Sequence, residues 1–125
     1  MGDLMTGPRA ALVGAGAIAP FHIDALRAVG FEVRHLAASR GSQRARNLAD
    51  SKGIPQVWDN AEELIVNGDW DCLVLASATE TLINLLLLAS QVGRPCLVEK
   101  PVTFRASDLV PLLTQDANIR VAYNR

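Results

Sequence analysis

Short apolar segments alternate with helix-forming segments along the whole chain, and this alternation limits the fold more than any other feature of the sequence. Segments such as 9–13 and 71–76 are almost continuously apolar, as strands buried on both faces of a parallel sheet are. Repeated strand–helix units predict right-handed βαβ crossovers. The sequence therefore predicts an α/β fold, a doubly wound parallel sheet of about six strands with helices on both faces.

The elements can be placed from hydrophobic spacing and from glycine and proline positions. The predicted strands are 9–13, 31–38, 57–58, 71–76, 96–98 and 119–123, and the predicted helices are 17–29, 42–52, 61–66, 79–92 and 107–113. In the first helix, Pro20 fits only the first turn, where its missing N–H costs nothing, and Gly30 ends the helix. The helical spacing puts five of its apolar residues on one stripe: Ile18, Phe21, Ala25, Leu26 and Val29.

The composition indicates a single domain, residues 1–125, with enough apolar residues for a core. Half of the residues are hydrophobic and the formal net charge is -1, which excludes a strongly basic protein that binds nucleic acid through bulk charge. The longest apolar run, 82–89, is far shorter than the roughly 20 residues that span a bilayer, so no membrane segment is predicted. Two cysteines inside apolar runs, Cys72 and Cys96, favour a reducing compartment, and we expect the cytoplasm.

The histidines and tryptophans are predicted to be structural. The two histidines and two cysteines lack the spacing of metal ligands, so no metal site is expected. His22 lies inside the first helix, and His35 lies inside the second strand among apolar neighbours. Trp58 and Trp70 flank strands, where packing is the simpler role for an aromatic side chain.

The turn between the first strand and the first helix has the pattern G-x-G-x-x-A. Gly14 permits a tight turn, Gly16 lets a pyrophosphate approach the backbone, and Ala19 is small enough for close helix–sheet packing. The helix start, at Ala17 and Ile18, offers free N–H groups and positive potential to phosphates. These residues predict a Rossmann-type dinucleotide site, and the alternative is a small-residue turn that serves only packing.

The end of the second strand bears on which dinucleotide is bound. Domains that bind NAD usually carry a carboxylate about 20 residues after the glycines, where it holds the ribose hydroxyls. Here Ser39 and Arg40 occupy that end, and Arg44 lies one helical turn further on. A hydroxyl and cations can hold a 2′-phosphate, so the sequence favours NADP over NAD. The alternative is that Arg40 is a solvated loop charge.

Four motifs make the chain resemble one oxidoreductase family, the Gfo/Idh/MocA family, over almost its whole length. They are Gly14-x-Gly16 with His22 and Ala25-Leu26, Asp71-x-x-Val74 running into Ala76-Ser77-Ala78, Gly93-Arg94-Pro95-Cys96-Leu97-Val98-Glu99-Lys100-Pro101, and Val121-Ala122-Tyr123-Asn124-Arg125. The third motif contains the E-K-P signature of the family and is the most specific. The resemblance is to the N-terminal nucleotide-binding domain of these enzymes.

The resemblance implies an activity and further site residues. Family members bind NAD or NADP and transfer hydride to or from a sugar, a cyclitol or a similar substrate. It implies that Glu99 lies near the cofactor's ribose and nicotinamide and that Lys100 is the catalytic residue, as polariser or proton relay at the substrate. Pro101 completes the motif, and Ser77 and Ala78 contribute the loop after the fourth strand to the cofactor site.

Two departures from the family pattern leave two interpretations open. Ala78 and Leu82 stand where the family commonly has Pro and His, and we expect the usual C-terminal substrate domain to be absent. In one interpretation the chain is the cofactor domain of an oxidoreductase, incomplete without a second domain or a partner chain. In the other it is a stand-alone, non-catalytic Rossmann protein that acts in assembly or regulation. The leucine-rich segment 82–89 predicts a homodimer or partner contact through helix 80–92.

Overall fold

A computed structural model describes residues 7–76, 79–98 and 119–121 of the chain, with only the backbone described for 79–82 and 119–121. The strands are β1 (Arg9–Val13), β2 (Glu32–Ala37), β3 (Gln56–Trp58), β4 (Cys72–Leu75), β5 (Cys96–Val98) and β6 (Ile119–Val121). The helices are α1 (Ala19–Ala28), α2 (Gln43–Lys52), α3 (Ala61–Asn67) and α4 (Thr79–Val92). All six predicted strands and the first four predicted helices are confirmed, whereas the predicted helix 107–113 lies outside the described residues.

The sheet is parallel and doubly wound, as predicted. Its strand order is β3-β2-β1-β4-β5-β6, and every neighbouring pair is parallel. From β1 the chain winds outward to β2 and β3, and it then returns to the other side of β1 to form β4, β5 and β6. The winding direction thus changes between β1 and β4. In sheets of this kind, the loops at the carboxyl ends of those two strands diverge and leave a crevice.

Helices cover both faces of the sheet. One core contains Leu12, Ile23 and Leu48, which join β1 to α1 and α2. The other core contains Leu64 and Leu86, which bring α3 and α4 onto the opposite face. A sheet buried on both faces explains why its strands read as nearly continuous apolar segments.

Helix α1 presents a different face to the sheet from its most obvious apolar stripe. Phe21 and Val29 are 68% and 74% exposed, and Ile18 is 38% exposed. The buried contacts come instead from Ala19 and Ile23, together with the half-buried Leu26. Hydrophobic spacing predicted the helix correctly, but the helix carries two apolar stripes, and spacing alone does not say which stripe meets the sheet.

His35 on β2 is a structural residue. It is 1% exposed, its Nδ1 accepts a hydrogen bond from the indole Nε1–H of Trp58 at 3.0 Å, and its Nε2 contacts a carboxylate oxygen of Asp69. Because an indole N–H can only donate, the proton of His35 lies on Nε2, which donates to Asp69. Both ring nitrogens are therefore engaged within the protein.

Charged side chains pair with one another at the amino-terminal edge of the sheet. Guanidinium nitrogens of Arg9 and Arg34 lie 3.2 and 3.0 Å from the Asp69 carboxylate, and the backbone N–H of Arg9 donates to Asp71 at 2.7 Å. Desolvation raises the pKa of Asp69, but hydrogen bonds from His35 and Arg34 outweigh it and leave the pKa below its usual range. The hydrogen bond from the Arg9 backbone is the main cause of the lowered pKa of Asp71.

The cysteines lie within the sheet. Cys96 is buried and Cys72 half-buried, and burial raises the pKa of both thiols, that of Cys96 to about 12. Since the thiolate is the reactive form, these raised pKa values disfavour reaction at either thiol. Among the described residues, no cluster of three or more His, Cys, Asp or Glu side chains could hold a metal ion, and no described helix is long and apolar enough to cross a membrane.

The orientation of α1 predicts opposite outcomes for two truncations on the same helix. Ile23→Ala removes a fully buried side chain and should lower the free energy of unfolding by about 2–5 kcal/mol. Phe21→Ala removes an exposed side chain and should change it by less than about 0.5 kcal/mol. Chemical denaturation of both variants measures the difference. An equal cost for the two truncations would contradict the orientation described here.

Candidate functional site

A cavity of about 680 Å³ opens at the carboxyl edge of the sheet, where the winding direction changes. Its walls come from the ends of β1, β2 and β4, from the starts of α2 and α3, and from α4. This volume lies within the range of small-molecule and cofactor sites. The position is the one at which doubly wound sheets bind their ligands.

The glycine turn after β1 forms the floor of this cavity. Gly14 has φ +117°, a conformation that side chains rarely adopt, and its N–H donates to the carbonyl of Ala37 at 2.8 Å. Gly16 has no such requirement, and a Cβ added to it would meet nothing within 4 Å. Neither backbone strain nor packing within the described residues therefore requires glycine at position 16. A side chain at position 16 would extend into the open space of the cavity.

Helix α1 begins beside this turn with an uncapped amino terminus. The N-cap residue, Ile18, makes no side-chain capping hydrogen bond, and no acidic residue lies in the first turn. Ala17 and Pro20 line a second, smaller cavity of about 250 Å³ that shares Gly16 with the first. Ala19 is fully buried against the sheet, as its small size predicted. The positive end of α1 therefore lies open beside the glycine turn.

Of the three residues predicted to bind the cofactor at and after the end of β2, which are Ser39, Arg40 and Arg44, only two line a cavity. Ser39 lines the large cavity, and Arg44 lines both cavities. Arg40 is exposed and is absent from both linings, which agrees with the alternative of a solvated loop charge. Ser42, which was not predicted as a site residue, also lines the cavity, and its hydroxyl oxygen caps α2 by accepting from the Ala45 N–H at 3.1 Å.

Sequence reasoning missed the far walls of the cavity. Asp59, Asn60 and Glu62 line it from the start of α3, and Asn84 and Leu85 line it from α4. Two features of the sequence, at Asn60 and Asn84, could have indicated these walls. Asn60 directly precedes the predicted helix 61–66 and is a residue type that favours the N-cap position. In the structure it caps α3 by accepting from the Glu63 N–H at 3.1 Å, so its neighbours lie at the carboxyl edge. Asn84 is the polar interruption of an otherwise apolar segment.

These walls differ in charge. The α1 and α2 side offers an uncapped helix terminus, two serine hydroxyls and the cation of Arg44. The α3 side offers the carboxylates of Asp59 and Glu62. Anionic groups are stabilised at helix amino termini and by guanidinium groups, and they are repelled by carboxylates. An anionic ligand would therefore place its phosphates towards α1 and α2.

Several predicted site residues fall outside the described part of the chain. They are Ser77, Ala78, Glu99, Lys100 and Pro101. The side chain of Leu82, one of the two departures from the family pattern, also falls outside it. The structure thus brings together the glycine turn, Ser39 and Arg44 around one cavity, and the cofactor-binding and catalytic roles of all the predicted site residues stay predictions.

Comparison with known proteins finds matches to one oxidoreductase family and to individual dehydrogenases. A family model described as the oxidoreductase family with an NAD-binding Rossmann fold, Gfo/Idh/MocA, matches residues 8–119. Myo-inositol 2-dehydrogenase from Thermotoga maritima is 20% identical over 121 residues, which are 94% of this chain and 36% of that protein. Trans-1,2-dihydrobenzene-1,2-diol dehydrogenase from Xenopus tropicalis is 29% identical over 91 residues, 73% of this chain and 27% of that protein.

Solved structures show the same fold. The WlbA dehydrogenase from Bordetella pertussis, solved in complex with NADH and UDP-GlcNAcA, superposes with a TM-score of 0.81 at 22% identity. The superposition covers 94% of this chain and 35% of that one. The chain thus spans about a third of the length of the proteins it matches.

The two glycines of the turn should respond differently to alanine. Gly14→Ala forces a Cβ onto a backbone with positive φ and should lower the free energy of unfolding by about 1–2 kcal/mol. Gly16→Ala meets no neighbour and should change it by less than about 0.5 kcal/mol. Thermal or urea denaturation of the two variants tests this contrast. A large loss of unfolding free energy in Gly16→Ala would contradict it.

Proposed function

This chain belongs to the Gfo/Idh/MocA oxidoreductase family as an NAD-binding Rossmann domain, and we propose that it holds the cofactor of an enzyme that transfers hydride between a pyridine nucleotide and a sugar or cyclitol-like substrate. The substrate class is suggested by the relatives, of which one is an inositol dehydrogenase. The cofactor supplies the hydride chemistry. The residues of this chain bind and orient it.

The observation that carries the proposal is the unoccupied volume at Gly16. Glycine at this position is needed neither for the turn nor for packing, and it lies between an uncapped helix terminus and a cavity. A pyrophosphate at this place would accept hydrogen bonds from the backbone N–H groups of the glycine turn and of Ala17 and Ile18. The first turn of α1 itself offers none, because Pro20 has no N–H and the N–H groups of Ala19 and Phe21 donate to the carbonyls of Gly16 and Ile18 at 3.1 Å. The alternative, a turn of small residues that serves only packing, does not account for a glycine with open space around it.

The remaining members of the proposed site follow strands whose ends the structure describes. β5 ends at Val98, so the expected place of Glu99, Lys100 and Pro101 is the carboxyl edge, near the cavity. We assign Lys100 the contact with the substrate oxygen and Glu99 the neighbourhood of the ribose and nicotinamide. Ser77 and Ala78 follow the end of β4, so we expect them at the same edge, where they would contribute to the cofactor site.

The proposed enzyme needs more chain than this single domain, residues 1–125. Because the relatives are about three times as long, we propose that substrate contacts come from a second domain or from a partner chain. Catalysis also requires a substrate held in reactive geometry, which one lysine beside a cofactor does not provide. The cytoplasm stays the predicted compartment.

The alternative of a stand-alone assembly protein finds little support in α4. Leu85, Leu86 and Ala89 are buried under the fold's own packing, and Ile83, Leu87, Leu88 and Val92 are half-buried. The most exposed apolar side chains of the described residues lie elsewhere, on α1, β3 and α3. A homodimer or partner contact through helix 80–92 therefore stays a prediction, and residues 83–92, the part of that helix whose side chains are described, present no exposed apolar face to favour it.

The preference for NADP over NAD rests on Arg44. Its guanidinium and the hydroxyls of Ser39 and Ser42 lie on the α2 side of the cavity, where a 2′-phosphate would be paired. Asp59 and Glu62 repel such a phosphate, so the preference requires the phosphate to lie on the α2 side.

Titration of the 125-residue chain with NADPH and NADH tests the function. Both nucleotides should bind with dissociation constants below the millimolar range, measured by quenching of tryptophan fluorescence or by calorimetry. The variant Gly16→Val should stay folded but should bind neither nucleotide. The reason is that the added side chain fills the volume meant for the pyrophosphate. If neither nucleotide binds at millimolar concentration, the proposed function is wrong.

Arg44 and Arg46 form a matched pair for the cofactor preference. Both are exposed on α2, but only Arg44 lines the cavity. Arg44→Ala should reduce the ratio of NADPH to NADH affinity by about tenfold, because a charge-assisted contact is lost. Arg46→Ala should leave the ratio unchanged. Isothermal titration with both nucleotides measures it, and an unchanged ratio in Arg44→Ala would remove the basis for NADP.

A further inference from the structure

Asn84 interrupts the most apolar helix of the chain. Its neighbours, Ile83 and the segment 85–89, are all apolar, and within 83–92 only Asn84 and Gln91 are exposed. Asparagine is a poorer helix former than leucine, alanine or glutamine, so helix stability does not favour it there. Asn84 lines the large cavity, whereas Gln91, two turns further along the helix, does not.

The two α4 residues that line the cavity, Asn84 and Leu85, carry no charge. The positive features of the cavity lie on the α1 and α2 side, and its carboxylates, Asp59 and Glu62, lie on the α3 side. The helix α4 contributes two side chains to the lining, the amide of Asn84 and the apolar Leu85. An apolar side chain beside one amide suits a flat, uncharged heterocycle that needs hydrogen bonds only at its edge.

A pyridine dinucleotide offers such a group next to its phosphates. With the pyrophosphate at the glycine turn, the adenosine half would extend towards the end of β2, where dinucleotide sites hold the adenosine ribose. Ser39, which follows β2, and Asn84 line the same cavity, and the adenine base is uncharged and aromatic. Adenine presents an amino donor beside a ring-nitrogen acceptor, and a carboxamide presents an acceptor beside a donor, so the two can form a paired hydrogen bond.

We propose that Asn84 recognises the adenine base of the dinucleotide and is a specificity-determining residue of the site, an inference that rests on the function proposed above. Asn84 reads the edge of the base that carries the amino group, and Leu85 contributes apolar contact beside it. The carboxylates of the α3 wall keep phosphates away from this part of the cavity.

The test compares three dinucleotides on the full chain. They are the preferred dinucleotide itself, its 1,N6-ethenoadenine analogue, in which the amino edge is blocked, and its 3-acetylpyridine analogue, in which only the nicotinamide end is altered. Wild type, Asn84→Ala and the matched control Gln91→Ala are titrated with each, and the thermal midpoint confirms that every variant is folded.

The proposal expects a coupling between Asn84 and the base. Asn84→Ala should bind the parent and the acetylpyridine dinucleotide about tenfold more weakly than wild type, which corresponds to about 1.4 kcal/mol. It should bind the ethenoadenine analogue as wild type does, because the contact is already lost there. Gln91→Ala should match wild type with all three.

Three results would overturn the proposal while leaving the proposed function intact. They are unchanged affinities in Asn84→Ala, an equal loss with all three ligands, and a loss that disappears with the acetylpyridine analogue, which would place Asn84 at the nicotinamide end. If wild type binds none of the dinucleotides, the proposed function fails, and the inference about Asn84 fails with it.

Discussion

Parallel pairing of β1 with β2 on one side and β4 on the other is the constraint on which the rest of the structure depends. β1 is one of the two central strands, and its residues Ala10, Ala11 and Leu12 have no exposed surface. The pairing continues past the strands, because the Gly14 N–H donates to Ala37 and the Ala76 N–H donates to Val13, each at 2.8 Å. These backbone hydrogen bonds therefore fix the strand ends from which the loops around the crevice start. The cavity itself is a consequence of the strand order.

The two edges of the sheet use charge in different ways. At the amino-terminal edge, Arg9 and Arg34 both pair with Asp69, and each pairs with a second carboxylate, Asp71 and Glu32 respectively, so these charges are matched within the protein. At the carboxyl edge, α1 starts without a capping side chain, and the cavity beside it carries Arg44 on one wall and carboxylates on another. No capping side chain or acidic residue competes with a ligand for the positive end of this helix. A helix terminus of this kind suits a domain whose ligand carries phosphates, because the phosphates can bind at the positive end of the helix.

Helices α1 and α4 show how far hydrophobic spacing can be interpreted. In α1 the spacing located the helix, but Phe21 and Val29 lie in solvent while Ala19 and Ile23 meet the sheet. In α4 the apolar residues cover most of the circumference, and the described part is nevertheless buried or half-buried except at Asn84 and Gln91. Spacing reports where apolar residues lie around a helix axis, whereas burial depends on which neighbours reach that side.

The order of strands and helices, the glycine turn and the membership of a dinucleotide-binding family were determined by the sequence itself, because period, turn chemistry and short motifs are local properties of the chain. Only the tertiary structure decided which side of α1 is buried, that Arg44 rather than Arg40 reaches the cavity, and that Asp59, Glu62 and Asn84 share its walls. These residues are far apart in the sequence, and they meet because parallel strands deliver all their carboxyl ends to one edge. No local pattern records the distance between segments that only the crossovers bring together.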